Sequence, residues 1–183
     1  MKLNMGSGLD IKQDWVNLNI VHVPGVDVVH DIEVLPLPFP DNTFEEVLCQ
    51  DILEHVEYVP VLKDIYRITA PGGKVRIRVP HYTSRNNFTD PTHKKRFSVS
   101  TFDYFAKDTY IWNKKSDDFY FEYAFSELKD IHLSFDKTSS RFFFYNKLIE
   151  WYVNSSSRRR VVYEMSGFCY LFPASDIILT LVK

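Results

Sequence analysis

Leu3-Asn4-Met5 runs into Gly6-Ser7-Gly8, a short apolar strand that ends in a tight glycine turn. A glycine pair at the carboxyl end of a first strand lets a ligand come close to the backbone. Gly-x-Gly also occurs in plain turns, so this stretch alone leaves both readings open. Only six residues separate Gly8 from Trp15, and Ile11 stands where a dinucleotide fingerprint needs its third glycine. That leaves little room for a crossover helix and argues against a phosphate site at a helix N-terminus.

Working outward, Trp15 to Ile20 and Val26 to His30 read as the second and third strands. Leu35-Pro36-Leu37-Pro38-Phe39-Pro40-Asp41-Asn42 carries three prolines and reads as a loop. Phe44 to Cys49 reads as a half-buried fourth strand. Val59, Leu62, Ile65, Tyr66 and Thr69 fall at helical spacing, with Lys63, Asp64 and Arg67 off that face. Pro71-Gly72-Gly73 is expected to close that helix, and the strict alternation Val75-Arg76-Ile77-Arg78-Val79 predicts a fifth strand. Strands separated by crossovers imply a parallel sheet.

The second half is less regular. A short helix is expected at Thr101 to Phe105, strands at Phe119 to Phe125 and Leu128 to Phe135, a helix at Phe142 to Val153, and a last strand at Asp176 to Val182. The two late strands that lie close in sequence predict an antiparallel pair at one edge.

The whole chain of 183 residues is expected to form one domain, with 45% hydrophobic and 25% charged residues. A net charge of −2 argues against a general nucleic-acid coat, which carries a basic excess. Cys49 and Cys169 make no CxxC pair, so reduced thiols in a cytoplasmic protein are the expectation. No apolar run approaches the roughly 20 residues that span a bilayer, and no signal-like segment opens the chain.

Three polar clusters follow the predicted strands. Asp27 and Asp31 lie in and after the third; such carboxylates can face a ligand crevice or cap a turn. Gln50-Asp51-Ile52-Leu53-Glu54-His55-Val56 follows the fourth, where Glu54 also suits the first turn of a helix. His81, Tyr82, Arg85, Asp90, His93, Lys94, Lys95 and Arg96 follow the fifth. This last group reads as a general base with its orienting carboxylate or as a loop tied by hydrogen bonds. Its spacing is not that of a regular zinc site, so no metal is expected. Its basic residues suit a solvated face or an anionic acceptor. Ser155-Ser156-Ser157-Arg158-Arg159-Arg160 is a second basic patch, read as solvated surface or, less simply, a phosphate contact.

The ordered set Leu3 to Gly8, Gly25 to Asp31, Leu37 to Phe44, Ile52-Leu53-Glu54-His55-Val56 and Arg67 to Gly73 resembles the class I S-adenosylmethionine-dependent methyltransferases, nearest the compact type-11 group. The resemblance covers residues 2–105. It implies an α/β fold with a Rossmann-like, mostly parallel sheet and an antiparallel edge pair. It also implies a cofactor-binding half over 1–105 and an acceptor-shaping half over 106–183. The implied cofactor is S-adenosylmethionine. Gly6, Ser7 and Gly8 would lie against its methionine part, Asn19 near the ribose, Asp31 at the adenine edge, Ile32 on the ring, and Asp51 and Ile52 along the crevice.

Two positions depart from the group's pattern. Ser7 stands where cysteine is usual, and Asn19 where an acidic residue would grip the ribose hydroxyls. An amide forgoes the charge-assisted bond. The implied activity is methyl transfer to a small acceptor such as a sugar or glycan precursor, with an anionic one favoured by the basic cluster. If the acceptor is a hydroxyl, His93 or His81 is the candidate base and Asp90 the group that orients His93. The competing readings are a non-catalytic methyltransferase-like partner subunit, suggested by Asn19, and a nicotinamide-dependent oxidoreductase, disfavoured by Ile11.

Overall fold

The computed structural model describes residues 1–109, 123–137 and 143–183. Seven strands form one sheet: β1 Lys2–Met5, β2 Val16–Asn19, β3 Val28–Val29, β4 Phe44–Gln50, β5 Thr69–Pro80, β6 Glu127–Ser134 and β7 Asp176–Val182. Their order is β3-β2-β1-β4-β5-β7-β6. The first five are parallel, and β7 pairs antiparallel with both β5 and β6. Only β7 therefore runs against the rest.

Register explains why the core lies on one side. Leu3 and Met5 on β1 share a face with Leu18, Val47, Cys49, Val75, Ile77, Leu179 and Leu181, all buried. Helix α1, Tyr58–Ile68, buries Val61, Leu62, Ile65 and Ile68 in that core. The reverse face carries Lys2, Asn4, Asn17, Glu46, Lys74, Arg76 and Arg78. There Glu46 accepts ion pairs from Lys2 at 2.9 Å and Arg76 at 2.7 Å.

No helix joins β1 to β2, β2 to β3 or β3 to β4. Side-chain amides replace them. Asn4 Nδ2 donates to Asp10 O and Asn17 Oδ1, at 2.8 and 3.0 Å. Asp27 Oδ2 accepts from the Asn17 backbone N–H at 2.7 Å. Asp27 thus ties its segment to β2 and does not face a ligand crevice or cap a turn, and the strand expected from Val26 shrinks to Val28–Val29.

Other expectations also shift. Pro71-Gly72-Gly73 does not close α1: Thr69 does, its hydroxyl donating to Ile65 O, and these residues enter β5 where its register against β4 slips. The antiparallel edge pair forms between β6 and the C-terminal β7, not between β6 and the strand expected just before it at Phe119 to Phe125. Of the strand expected at Phe119 to Phe125, the first four residues lie outside the described ones, and Phe125 makes only an isolated bridge to Ala106.

The short helix α2 spans Asn86–Thr89, and Thr101–Phe105 is a 3-10 turn. Helix α3, Phe143–Asn154, matches the helix expected from Phe142, which itself lies outside the described residues. The Arg158–Arg160 patch lies in the first turn of helix α4, Ser157–Met165, capped by Ser156, whose side chain accepts from Arg159 N–H. A last short helix, α5, spans Phe168–Leu171. Among the described residues no helix is long and apolar enough to cross a membrane.

Arg67 fixes the proline loop. Its Nε and Nη2 grip Asp64 at 2.6 and 2.9 Å, while Nη1 and Nη2 donate to the carbonyls of Phe39 and Leu37 at 2.8 and 3.1 Å. Asp64 also accepts the Leu37 N–H at 2.7 Å. Arg67→Ala leaves the buried Asp64 carboxylate without its cation. The expected loss in chemical denaturation is about 3 kcal/mol, the lower end of the range for breaking buried pairs, because Arg67 is partly exposed. Arg67→Lys should restore only part of it, because an ammonium lacks the guanidinium fork.

Candidate functional site

Strand order reverses between β1 and β4, so a crevice opens beyond their carboxyl ends. On its β1 side, Gly6 and Gly8 both hold positive φ, at 66° and 51°. A Cβ on Gly6 would lie 2.8 Å from the Ile52 side chain, whereas one on Gly8 would enter open space. The first glycine therefore lets two strand ends pack together, and the second leaves room for a ligand. Ser7 is buried, and its hydroxyl has no hydrogen-bond partner among the described residues. Nearby chain at the same end of the sheet exposes Leu9, Ile20, Val21, Val29 and Val34. An orphaned hydroxyl, an open glycine and an apolar rim fit a ligand with a polar tail and a flat ring.

The other residues expected on this side divide. Asn19 is buried and engaged at both ends of its amide: Oδ1 accepts the Gly8 N–H at 3.4 Å and Nδ2 donates to Val21 O at 3.0 Å. It clamps the turn after β1 to the chain after β2. Asn19→Asp removes the donor and sets a carboxylate against the Val21 carbonyl. It should cost about 1–2 kcal/mol of stability in denaturant titration, the usual penalty for breaking a buried hydrogen bond. Unchanged stability would show that the clamp is unimportant. Asp31 accepts the Glu33 N–H at 2.9 Å and so shapes a turn. Ile32 is 5% exposed and belongs to the core, so it backs the pocket instead of presenting a surface to a ring.

Beyond β4, β5 and β7 lies a cavity of about 600 Å³, lined among others by Asp51, Glu54, His55, Asp90, His93 and Asp176. Asp51, at φ 52°, receives Arg78 Nε at 2.9 Å and a second, very close bond from Nη2. Glu54 sits in the 3-10 turn Leu53–His55 and is 0% exposed. Neither of its carboxylate oxygens bonds another described residue. Burial, reinforced by the nearby Asp51 and Asp176 charges, pushes its carboxyl up to about 7.

Asp90 organises two imidazoles. Thr92 donates its hydroxyl to Asp90 Oδ1 at 2.6 Å and contacts His55 Nδ1 at 2.8 Å. Hydrogen bonds from Thr92 hold the Asp90 carboxyl below its ordinary value. With that proton committed to a carboxylate, Thr92 Oγ1 accepts from His55 Nδ1–H, and Nε2 of His55 keeps its lone pair. Desolvation, with His93 adjacent, lowers the His55 pKa and favours the neutral ring.

His93 stands edge-on to His55, ring centroids 4.6 Å apart. Its Nε2 is 3.9 Å from Asp90 Oδ2, and its buried Nδ1 has no partner among the described residues. The backbone N–H groups of Lys94 and Lys95 both donate to Glu54 O, at 2.8 and 3.1 Å, and stitch the two segments together.

His93 and Asp90 are thus brought together in the cavity, and His81 is not. His81 is buried with Nδ1 against Thr83 Oγ1 at 2.7 Å and Nε2 against Glu164 Oε1 at 2.9 Å. It ties the end of β5 to α4. The cations expected to greet an anionic acceptor are engaged elsewhere: Lys94 pairs with Glu33, Lys95 with Glu57, and Arg96 lies over the Phe88 ring. Carboxylates outnumber cations on the cavity wall. Glu54 and His55 belong to the polar cluster after the fourth strand, but the sequence assigns them no role in the site. An adjacent acid and imidazole directly after a strand was the available signal.

Residues 6–77 match a family model described as a methyltransferase domain. An uncharacterized protein of Methanocaldococcus jannaschii is 50% identical over 46 residues, 25% of this chain and 20% of that protein. A demethylmenaquinone methyltransferase of Anoxybacillus flavithermus is 49% identical over 51 residues, 27% of this chain and 21% of that enzyme. The chain thus spans about a fifth of the length of these relatives. Across the whole fold, it resembles the crystal structure of an S-adenosylmethionine-dependent methyltransferase from Archaeoglobus fulgidus. The TM-score is 0.61 at 18% identity, covering 100% of this chain and 85% of that one. Residues 6–77 are thus similar in sequence to a methyltransferase domain, and the chain as a whole shares the fold of the Archaeoglobus fulgidus methyltransferase.

Proposed function

We propose that this chain is a methyltransferase that uses S-adenosylmethionine and methylates a hydroxyl of a small, polar, hydroxyl-rich acceptor such as a sugar or glycan precursor. One observation carries the reading: the open glycine turn and the polar cavity meet at a single dipeptide. Ile52 packs over Gly6 on one side, and Asp51 lines the cavity on the other. A donor seated on the turn would point its reactive end toward an acceptor in the cavity.

The bound cofactor supplies a methyl group already activated by its sulfonium. Gly8 leaves room for it, and Ser7 offers a hydroxyl. The protein's remaining task is to hold the acceptor oxygen in line, about 3 Å from the methyl carbon, and relieve it of its proton. The cluster of Glu54, His55 and His93 suits that task, with Asp90 as the orienting carboxylate. The carboxylate-rich wall favours a neutral polyol over an anion. The likeness to demethylmenaquinone methyltransferases supports the donor; a quinone acceptor would need a more apolar wall than this one.

Thermal-shift and calorimetric titration with S-adenosylhomocysteine and with NAD test the proposal. S-adenosylhomocysteine at 100 times its Kd should stabilise the fold by about 2.7 kcal/mol, and NAD should do nothing. Stabilisation by NAD alone would overturn the reading. Failure to bind either would favour the non-catalytic partner subunit, for which the engaged Asn19 amide is the motivating feature.

A further inference from the structure

We propose that Glu54, His55 and His93 hold a divalent transition cation, Zn²⁺ or a close relative, on the wall of the acceptor cavity. One ligand atom from each residue lies within 4.8 Å of the other two. Two independent features point to a missing ligand. The Glu54 carboxylate is fully buried with neither oxygen bonded to another described residue, and His93 Nδ1 is buried and equally without a partner. Unsatisfied buried polar groups are costly, and two residues that carry them beside His55 on the wall of a 600 Å³ cavity call for a common partner.

The surrounding shell is that of a ligand set. Imidazoles that bind metals commonly present one nitrogen while the other donates to a carboxylate or a hydroxyl. His55 does so through Thr92 to Asp90, which leaves Nε2 free. Asp90 Oδ2 also lies 3.9 Å from the far nitrogen of His93, beyond hydrogen-bond length but near enough for its charge to act on that ring as well. Two imidazoles and one carboxylate suit Zn²⁺, Co²⁺ or Fe²⁺ and are poor for Mg²⁺, which prefers an octahedron of oxygens. Three protein ligands leave a coordination position open toward the cavity, as catalytic sites do.

The role rests on the reading of the cavity as the acceptor site. An acceptor hydroxyl at the open position would have its pKa lowered by the cation. Its O–H bond breaks with the proton passing to solvent water. The new O–C bond forms as the S–C bond of the donor breaks and returns its electron pair to sulfur.

The test uses chelator-stripped protein, titrated by calorimetry and thermal melting with ZnCl₂ and, separately, MgCl₂. One equivalent of Zn²⁺ is expected to bind and raise the melting temperature, with no response to Mg²⁺. Glu54→Gln and His93→Ala should abolish the shift. Asp90→Asn, at an exposed residue, should weaken Zn²⁺ binding by roughly 10–100-fold through the two rings it acts on, and it covers the case in which a buried variant fails to fold. Absence of Zn²⁺ binding overturns the inference, as does Zn²⁺ binding that all three variants leave unchanged, which would mark a surface histidine. S-adenosylhomocysteine affinity on the same preparation separates the two proposals. Binding of the homocysteine ligand without Zn²⁺ leaves the methyltransferase reading standing and removes the metal.

Discussion

His93→Ala is expected to slow methyl transfer by roughly 10²–10⁴-fold, the usual consequence of removing a group that assists proton loss, while S-adenosylhomocysteine affinity stays near that of the parent. The separation follows from position. His93 lines the cavity beyond β5 and β7, whereas the glycine turn belongs to β1. Its surroundings argue for function over packing, since a buried Nδ1 with no hydrogen-bond partner among the described residues costs stability. The measurement is a single-turnover rate, a melting temperature and a ligand affinity on one preparation, once an acceptor is in hand. A normal rate in the folded variant would remove His93 from the mechanism. His81 could not then take over, because both of its ring nitrogens are already engaged.

Gly6→Val is expected to abolish S-adenosylhomocysteine binding and also to lower the melting temperature. From the sequence, the expectation is lost binding with little loss of fold, plus strain if Gly6 has positive φ. The structure adds two costs: a β-branched residue at φ 66°, and a Cβ within 2.8 Å of Ile52 Cδ1. Strain at such a backbone position is worth about 1–3 kcal/mol, and overpacking adds about 1–3 kcal/mol. Trimming the obstacle in a Gly6→Ala/Ile52→Ala double variant should recover stability relative to Gly6→Ala alone. Gly8→Val provides the complementary experiment. A Cβ there meets nothing within 4 Å, so the variant carries the strain of φ 51° without the overpacking, and should block the ligand with a smaller loss of stability. Full affinity in a folded Gly8→Val protein would place the cofactor elsewhere.

The sheet was legible where side-chain alternation was strict. Asp176–Val182 was read with the bounds it has, because its buried Ile177, Leu179 and Leu181 alternate along the strand. Helix α4 was hidden because Arg158-Arg159-Arg160-Val161-Val162 shows no apolar stripe, and only Tyr163 in it is buried. The pairing of β6 with β7 was out of reach for a different reason: the two are joined through more than a helix of intervening chain, and pattern does not name a strand's neighbour. In the site, the glycine turn and the Asp90–His93 pair could be read locally. The approach of His55 to His93 could not, since it depends on Glu54 O capturing two N–H groups from a segment that lies beyond the whole of β5. His81 misled because an imidazole after a strand looks the same whether it faces a cavity or is tied down inside.

The absence of helices between β1 and β4 has a consequence for how this protein breathes. A conventional crossover would protect that edge of the sheet with a second packed layer. Here β3 is attached by two residue pairs, Leu18 with Val28 and Asn19 with Val29, together with the Asp27 carboxylate that accepts from the Asn17 N–H, while the Asn4 and Asn17 amides tie β1 to β2. Backbone amides in β2 and β3 should therefore exchange with deuterium long before those of β4, β5 and β7, through local opening and not global unfolding. The same segment carries the turn and rim proposed to seat the cofactor. A ligand that binds only the closed form must then suppress the opening in proportion to its concentration over Kd, so ligand supply sets how often that edge of the sheet comes apart.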